Sequence, residues 1–350
     1  MNERLAALRD RGKRLLPKVG YPSLYLVCLL VFSSWTFPYG RLKDRLVATF
    51  NAQQRMSGSR NELEIDGMTS SFVTGVKMSG VRLIGAPAEA GKPPSEMKID
   101  QVSARISLLP LLWGNHDLGF HLSGFGGNID GSYDDHGEKE RDLSVSFSAI
   151  DVGQLTPLVE AIGLPLEGSL SGSITIAMPE GKASKASGSV ALETEGLAVG
   201  DGKAKLKGAF ALPRVNVGTL SVAGDVKDGI LKLTKFGATG KDVDLQGDGR
   251  VQLRDVALES HCDLNVRFKI NDAYRTKSDI TKSLFGAPGS NAPALFELAD
   301  PRVKQSKRAD GFYAWHARGA LAHLDFSPAP SQGPGALPFT ASGLPRPPGP

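Results

Sequence analysis

The stretch Asp263-Leu264-Asn265-Val266-Arg267-Phe268-Lys269-Ile270 decides the fold class. Leu264, Val266, Phe268 and Ile270 occupy every second position, and Asp263, Asn265, Arg267 and Lys269 fill the places between them. Side chains of an extended strand point alternately to its two faces, so this spacing makes one apolar and one polar face on a single ribbon. A helix would scatter the same residues around its circumference. Strands of this kind belong to antiparallel sheets that pack one side and keep the other wet. Cys262 continues the apolar face, where a free thiol serves as a small apolar side chain.

Outward from this stretch the same period recurs. Upstream, Met97 and Ile99, then Val102, Ala104, Ile106 and Leu108, alternate with polar residues. Leu118, Phe120 and Leu122 repeat the pattern, as do Leu143, Val145 and Phe147, then Leu170, Ile174, Ile176 and Met178. Leu220, Val222 and Val226 follow, then Val243 with Leu245, and Val251 with Leu253. Turn signals at Gly126-Gly127-Asn128, Asp201-Gly202, Asp228-Gly229 and Gly247-Asp248-Gly249 separate these runs, and sequential hairpins are the simplest connectivity. Gly makes up 41 of 350 residues and aromatic content is only 7%, which favours tight turns over thick helical packing.

Short helices interrupt the strands. Thr156 as cap and Pro157 in the first turn predict one that ends at Gly163, with Leu158, Val159 and Ile162 supplying apolar contacts. A second is predicted between Arg275 and Leu284, followed by a last hairpin around Phe312 to Phe326. Eight of the 24 residues from Ser327 to Pro350 are Pro, so this tail builds no core.

The N-terminus carries a different signal. From Val19 to Tyr39 no side chain is charged, and Arg4, Arg9, Arg11, Lys13, Arg14 and Lys18 precede this stretch against only Glu3 and Asp10. About 21 residues at 1.5 Å rise cross a hydrocarbon core roughly 30 Å thick, and the basic flank keeps the N-terminus cytoplasmic. Leu24, Leu26, Val27, Leu29, Leu30, Val31 and Phe32 favour insertion, while Trp35 and Phe37 with Tyr39 form an aromatic interfacial belt. A cleaved signal peptide is the rival reading, but no small-x-small cleavage pattern follows the apolar stretch. After the span, Leu42, Leu46, Val47 and Phe50 recur at helical spacing. The expected organisation is a cytoplasmic segment over 1–18, a transmembrane helix over 19–39, a periplasmic antiparallel β domain over 40–326 and a Pro/Gly-rich tail over 327–350.

The formal charge of +4 comes entirely from the first eighteen residues, and the rest of the chain balances 35 basic against 35 acidic side chains. A neutral body without a basic patch argues against nucleic acid as a partner. Cys28 lies inside the predicted span, away from Cys262, so no disulfide framework exists. No HExxH pair appears among His116, His121, His136, His261, His316 and His323. His116 and His121 belong on opposite faces of one strand, and His136 sits in an acidic loop that reads as a solvated turn. No GxSxG, Walker A or GxGxxG sequence occurs. Asp242 and Asp244 read as solvated residues of a polar strand face. No catalytic, cofactor-binding or metal-binding residue is expected, and the chain reads as non-enzymatic.

The order and spacing of several segments resemble the type II secretion system protein N family, in its long form with an AsmA-like periplasmic body. These segments are Trp35-Thr36-Phe37-Pro38-Tyr39 with Arg41-Leu42-Lys43, Leu166-Glu167-Gly168-Ser169-Leu170-Ser171-Gly172, Gly200-Asp201-Gly202-Lys203-Ala204-Lys205, and Gly240-Lys241-Asp242-Val243-Asp244-Leu245. Arg267-Phe268-Lys269 and Asp310-Gly311-Phe312-Tyr313 complete the set, and the resemblance covers about Leu24 to Phe326. It implies a mainly β protein: an N-terminal transmembrane helix, an elongated AsmA-like antiparallel sheet and a few short helices. It also implies a single-pass protein of the bacterial inner membrane, with a scaffold or assembly role among other type II secretion subunits, and no catalytic residues to carry over.

The apolar stripes, represented by Ile174, Ile176, Leu264, Val266, Phe268 and Ile270, admit two readings: a packed core, or the lining of a groove that accommodates lipid. A long sheet lined by Leu, Ile and Val can hold acyl chains without polar anchors, whereas cofactor pockets place several polar groups. A lipid-binding or lipid-transfer module of the AsmA type is therefore the alternative function.

Overall fold

A computed structural model describes residues 35–329 except for segments 57–60, 72–73, 86–95, 108–109, 111–113, 138–139, 204, 207–209, 257–258 and 291–293, together with scattered positions between 21 and 33. The chain enters through helix α1 (Tyr39–Met56) and runs into β1 (Glu62–Ser71), β2 (Gly75–Ile84), β3 (Glu96–Ile106) and β4 (His116–Gly124). Next come β5 (Gly127–Asp135), β6 (Glu140–Asp151), helix α2 (Thr156–Ile162), β7 (Leu166–Pro179) and β8 (Ser187–Val199). The short strands β9 (Lys205–Leu206) and β10 (Phe210–Ala211) precede β11 (Val215–Lys227), β12 (Ile230–Thr239), β13 (Val243–Gln252) and β14 (His261–Ile270). Helices α3 (Asp272–Arg275), α4 (Asp279–Phe285), α5 (Leu295–Ala299) and α6 (Pro301–Ser306) then lead to β15 (Tyr313–Ala320) and β16 (His323–Pro328).

Fourteen of these strands form one open antiparallel sheet in chain order, and β9 and β10 pair separately between β8 and β11. The meander follows from tight turns. Lys227 pairs with Ile230 across Asp228-Gly229, both with positive φ as a two-residue hairpin demands. The mainly β expectation holds.

Register puts the apolar residues on one side. Met68 faces Met78, Met78 faces Val102, and the line continues through Leu122, Ile129, Phe147, Gly172, Leu192 and Val222 to Phe236. A parallel line through Ser103, His121, Asp130, Ser146 and Ser173 marks the polar side. Where a glycine interrupts the apolar line, an aromatic ring from the next strand fills the space: a Cβ at Gly131 would lie 2.2 Å from Phe120, and one at Gly247 2.3 Å from Phe236. Gly247-Asp248-Gly249 therefore lies inside β13 rather than at a turn, and Val243 to Val251 belongs to one strand.

Complete burial runs along one rim, through Phe125, Ile150, Leu166, Ala198, Val217, Ala238, Ile270 and Tyr313. At its C-terminal end α3 and α4 add Tyr274, Leu284 and Phe285 to Val215, Val217, Ala238, Val243 and Ile270. Ring contacts extend this cluster from Tyr274 to Phe285, Phe296, Tyr313 and Phe268.

Two helical details and one strand boundary differ from the sequence reading. Thr156 is the first residue of α2 and Leu155 is its cap, because the Leu155 carbonyl already accepts from Leu158 and Val159. The helix expected over Arg275 to Leu284 is two, α3 and α4, and Ser278 restarts the chain with a reciprocal capping box to Thr281. The last strand runs two residues past Phe326, to Pro328.

Candidate functional site

The apolar side of the sheet is the candidate site. Val145, Ile174, Val190, Leu192 and Leu233 are only half-buried and alternate with exposed Ser144, Ser146, Ser173, Thr175, Ser189, Ala191 and Lys232. Each half-buried side chain is flanked laterally by its neighbours on adjoining strands, so its remaining surface faces outward. From β4 to β12, seven strands about 4.8 Å apart span about 29 Å. At the register positions of this floor no side chain carries a charge, and Tyr133 and Thr194 supply its polar atoms.

The structure divides the six predicted stripe residues between both readings. Ile174, Ile176, Leu264 and Val266 are half-buried on the open part of the face. Ile270 belongs to the packed cluster, and Phe268 lies against it with its ring 5.3 Å from that of Tyr313. Cys262 is 1% exposed, and burial pushes its thiol pKa up. Of the predicted anchor residues, Leu24, Leu29, Val31, Phe32 and Trp35 are exposed in helical positions and Phe37 is exposed between helical segments, whereas Leu26, Val27 and Leu30 lie outside the described residues. Among the described residues, no helix is long and apolar enough to cross a membrane.

One rim of the apolar side is charged. Arg141 faces Asp135 across β5 and Met178 across β7, one pleat beyond Leu143, Tyr133 and Ile176. Its Nε lies 3.5 Å from Asp135 Oδ1. The guanidinium rests on the turn after β7, where a Cβ at Gly181 would be 3.1 Å from Arg141 Cζ. In the same turn Lys182 and Lys185 both hold Glu180, and their hydrogen bonds lower its pKa to about 2.

The polar side carries networks. His121 Nδ1 is 2.6 Å from Asp130 Oδ1 and its Nε2 is 3.0 Å from Ser123 Oγ, with His121 and His116 on opposite faces as the sequence predicts. Ser123 in turn donates to Asn128 Oδ1 at 2.9 Å. His316 pairs with Asp263 at 2.7 Å, which together with Arg250 outweighs burial and lowers the Asp263 pKa. Asp117, Asp134 and Asp142 stand directly opposite one another, and burial followed by the two neighbouring charges raises the Asp134 pKa. Among the described residues no group of His, Cys, Asp or Glu could hold a metal ion.

Two buried carboxylates escaped the sequence reading. Asp242 is 3% exposed rather than solvated: it closes the β12–β13 turn beneath Asn216, whose N–H it accepts at 2.8 Å. Glu297 is 6% exposed and accepts from Lys307 at 2.7 Å and from Tyr313 at 2.8 Å. Glu297 sits in no alternating run, so periodicity gave no signal for it, whereas the alternation Asp242-Val243-Asp244-Leu245 pointed to a solvated face at a position that the β12–β13 turn buries. Arg141 was legible only as a charged residue two places before Leu143.

In comparisons with protein-family models, curated proteins and solved structures, the chain matches none of them.

Proposed function

We propose that this chain is a non-enzymatic, single-pass inner-membrane component of a type II protein secretion system, with its N-terminus in the cytoplasm and its sheet in the periplasm. Its mechanism is positioning. The observation that supports this reading is how the sheet is tied to the chain emerging from the proposed anchor. Asn51 of α1 accepts the Leu63 N–H at 2.8 Å and donates to the Leu63 carbonyl at 3.3 Å, so a side-chain amide takes the place of a strand at the β1 edge. The membrane-proximal edge is thereby blunted. At the other end β16 pairs with β15 alone among the described strands, leaving a template on which a secretion subunit adds a strand.

The test is a deletion strain in which export of type II substrates falls, with recovery of secretion subunits on the full-length protein in detergent. Alkaline phosphatase fused after Ala329 is active in this topology. Normal secretion in the deletion strain overturns the scaffold role, and an inactive but well-expressed fusion overturns the topology.

A second reading, an AsmA-like lipid-binding or lipid-transfer protein, is favoured by one observation: the continuous apolar line is half-buried over β4 to β12. Near-stoichiometric phospholipid extracted from the purified protein moves the assignment to this reading.

A further inference from the structure

We propose that the charged rim at Arg141 is the headgroup site of a diacyl phospholipid whose acyl chains lie on the apolar floor beside it; this rests on the lipid-binding reading above. Register places Arg141 on the apolar side, one pleat beyond Leu143, with Tyr133 and Ile176 as that residue's cross-strand neighbours. An arginine in line with an apolar stripe is costly unless its charge is used. Here the side chain remains 43% exposed, and its Nε is excluded from solvent and makes no hydrogen bond, although Asp135 lies near enough for charge attraction.

Cations gather at this point. Lys182 and Lys185 extend from the turn that Arg141 covers and both hold Glu180, while Asp135 and Glu140 flank Arg141 at the end of a floor that carries no charge. A phosphodiester complements the exposed guanidinium, whose planar fork is suited to bind it through two donors. The floor selects the rest of the ligand. Leu143, Val145, Ile174 and Ile176 continue directly from Arg141, and the seven-strand width of about 29 Å exceeds the roughly 15 Å depth of one bilayer leaflet. Free phosphate would leave that surface unused, and a phospholipid covers both parts.

The experiment uses the full-length protein, expressed in cells with radiolabelled phosphate and purified in detergent. A photo-crosslinking residue replaces Ile174 on the floor or Thr175 on the polar side. Phospholipid adducts are expected at Ile174 and not at Thr175. Arg141→Gln lowers co-purified phospholipid at least about tenfold, and Arg141→Lys, which keeps the charge but loses the two-donor fork, gives an intermediate amount. A protein adduct at Ile174, or equal lipid labelling at both positions, overturns the proposal. Phospholipid at Ile174 that is indifferent to Arg141→Gln overturns the headgroup site and leaves the lipid-binding reading standing; no phospholipid on any variant removes both.

Discussion

Asp242 Oδ2 receives Lys277 Nζ at 3.3 Å and the Asn216 N–H at 2.8 Å. One carboxylate thus joins the start of β11, the β12–β13 turn and the segment between α3 and α4. Lys277 also donates to the Arg214 carbonyl at 2.7 Å, and Tyr274 donates to the Pro213 carbonyl. The helices at the C-terminal end are therefore held to the sheet by polar contacts beside an aromatic cluster. That end is the layered part of the molecule, and the open floor begins where this layer stops.

Asp242→Ala is expected to destabilise the protein by about 1 to 3 kcal/mol, because it leaves the Asn216 N–H buried without an acceptor. Lys277→Gln is expected to cost less than about 1 kcal/mol, since the lysine side chain is 45% exposed and solvent screens its charge. Chemical denaturation followed by circular dichroism separates the two. Equal losses would mean that the ion pair, and not the backbone hydrogen bond, carries the contact.

Glu297 gives the fold an acid-sensitive point. Burial opposes its ionisation, but the hydrogen bonds from Lys307 and Tyr313 outweigh it and lower the pKa. A depressed folded value adds stability above the unfolded carboxylate pKa of about 4.3 and loses it as pH falls through the folded one. Glu297→Gln is therefore expected to flatten the decline in melting temperature below about pH 4.5 relative to the parent. A parallel decline in both proteins would show that Glu297 does not link folding to protonation.

The legible part of the structure is what period two records. Met97 and Ile99 fall on odd positions and Val102, Ala104 and Ile106 on even ones; that slip is the bulge between Ile99 and Gln101, where the pairing of β3 with β4 shifts. The Asp228-Gly229 turn was equally readable. Gly247-Asp248-Gly249 was not, because the same residues that make turns also make room for a neighbouring ring, and only register brings Phe236 over Gly247. Whether a stripe is core or groove depends on what stands opposite it. Ile174 and Ile270 look alike in sequence, yet α3 and α4 reach only the second.

The row of Asp117, Asp134 and Asp142 predicts a gain from mutation. Like charges directly opposite on neighbouring strands destabilise a sheet, and the Asp134 pKa is raised by burial first and then by both partners. A raised folded value costs stability above that value and nothing below the unfolded one. Asp134→Asn is expected to gain about 0.2 to 1 kcal/mol at neutral pH, with no gain at pH values below about 3.5. A pH-independent difference between the two proteins would point to packing rather than charge.

Substitutions along β14 test the division of the apolar side into core and floor. Phe268 stacks on Tyr313 at a 24° interplanar angle and packs against the buried cluster, so Phe268→Asp places a carboxylate among rings. Its cost is several kcal/mol, a large part of the 5 to 15 kcal/mol margin of about one domain. Val266→Asp meets the half-buried part of the same strand, where water reaches the new charge, and is expected to cost less. On the polar side, Asn265→Asp and Arg267→Gln should each cost under about 1 kcal/mol, although Arg267 lies 5.1 Å over the Phe312 ring and donates to Gln246 at 2.6 Å. Limited proteolysis ranks the four. Phe268→Asp is expected to be the most sensitive, then Val266→Asp, then the polar pair; equal sensitivity of the two apolar variants would place Val266 in a covered core and close the floor at β14.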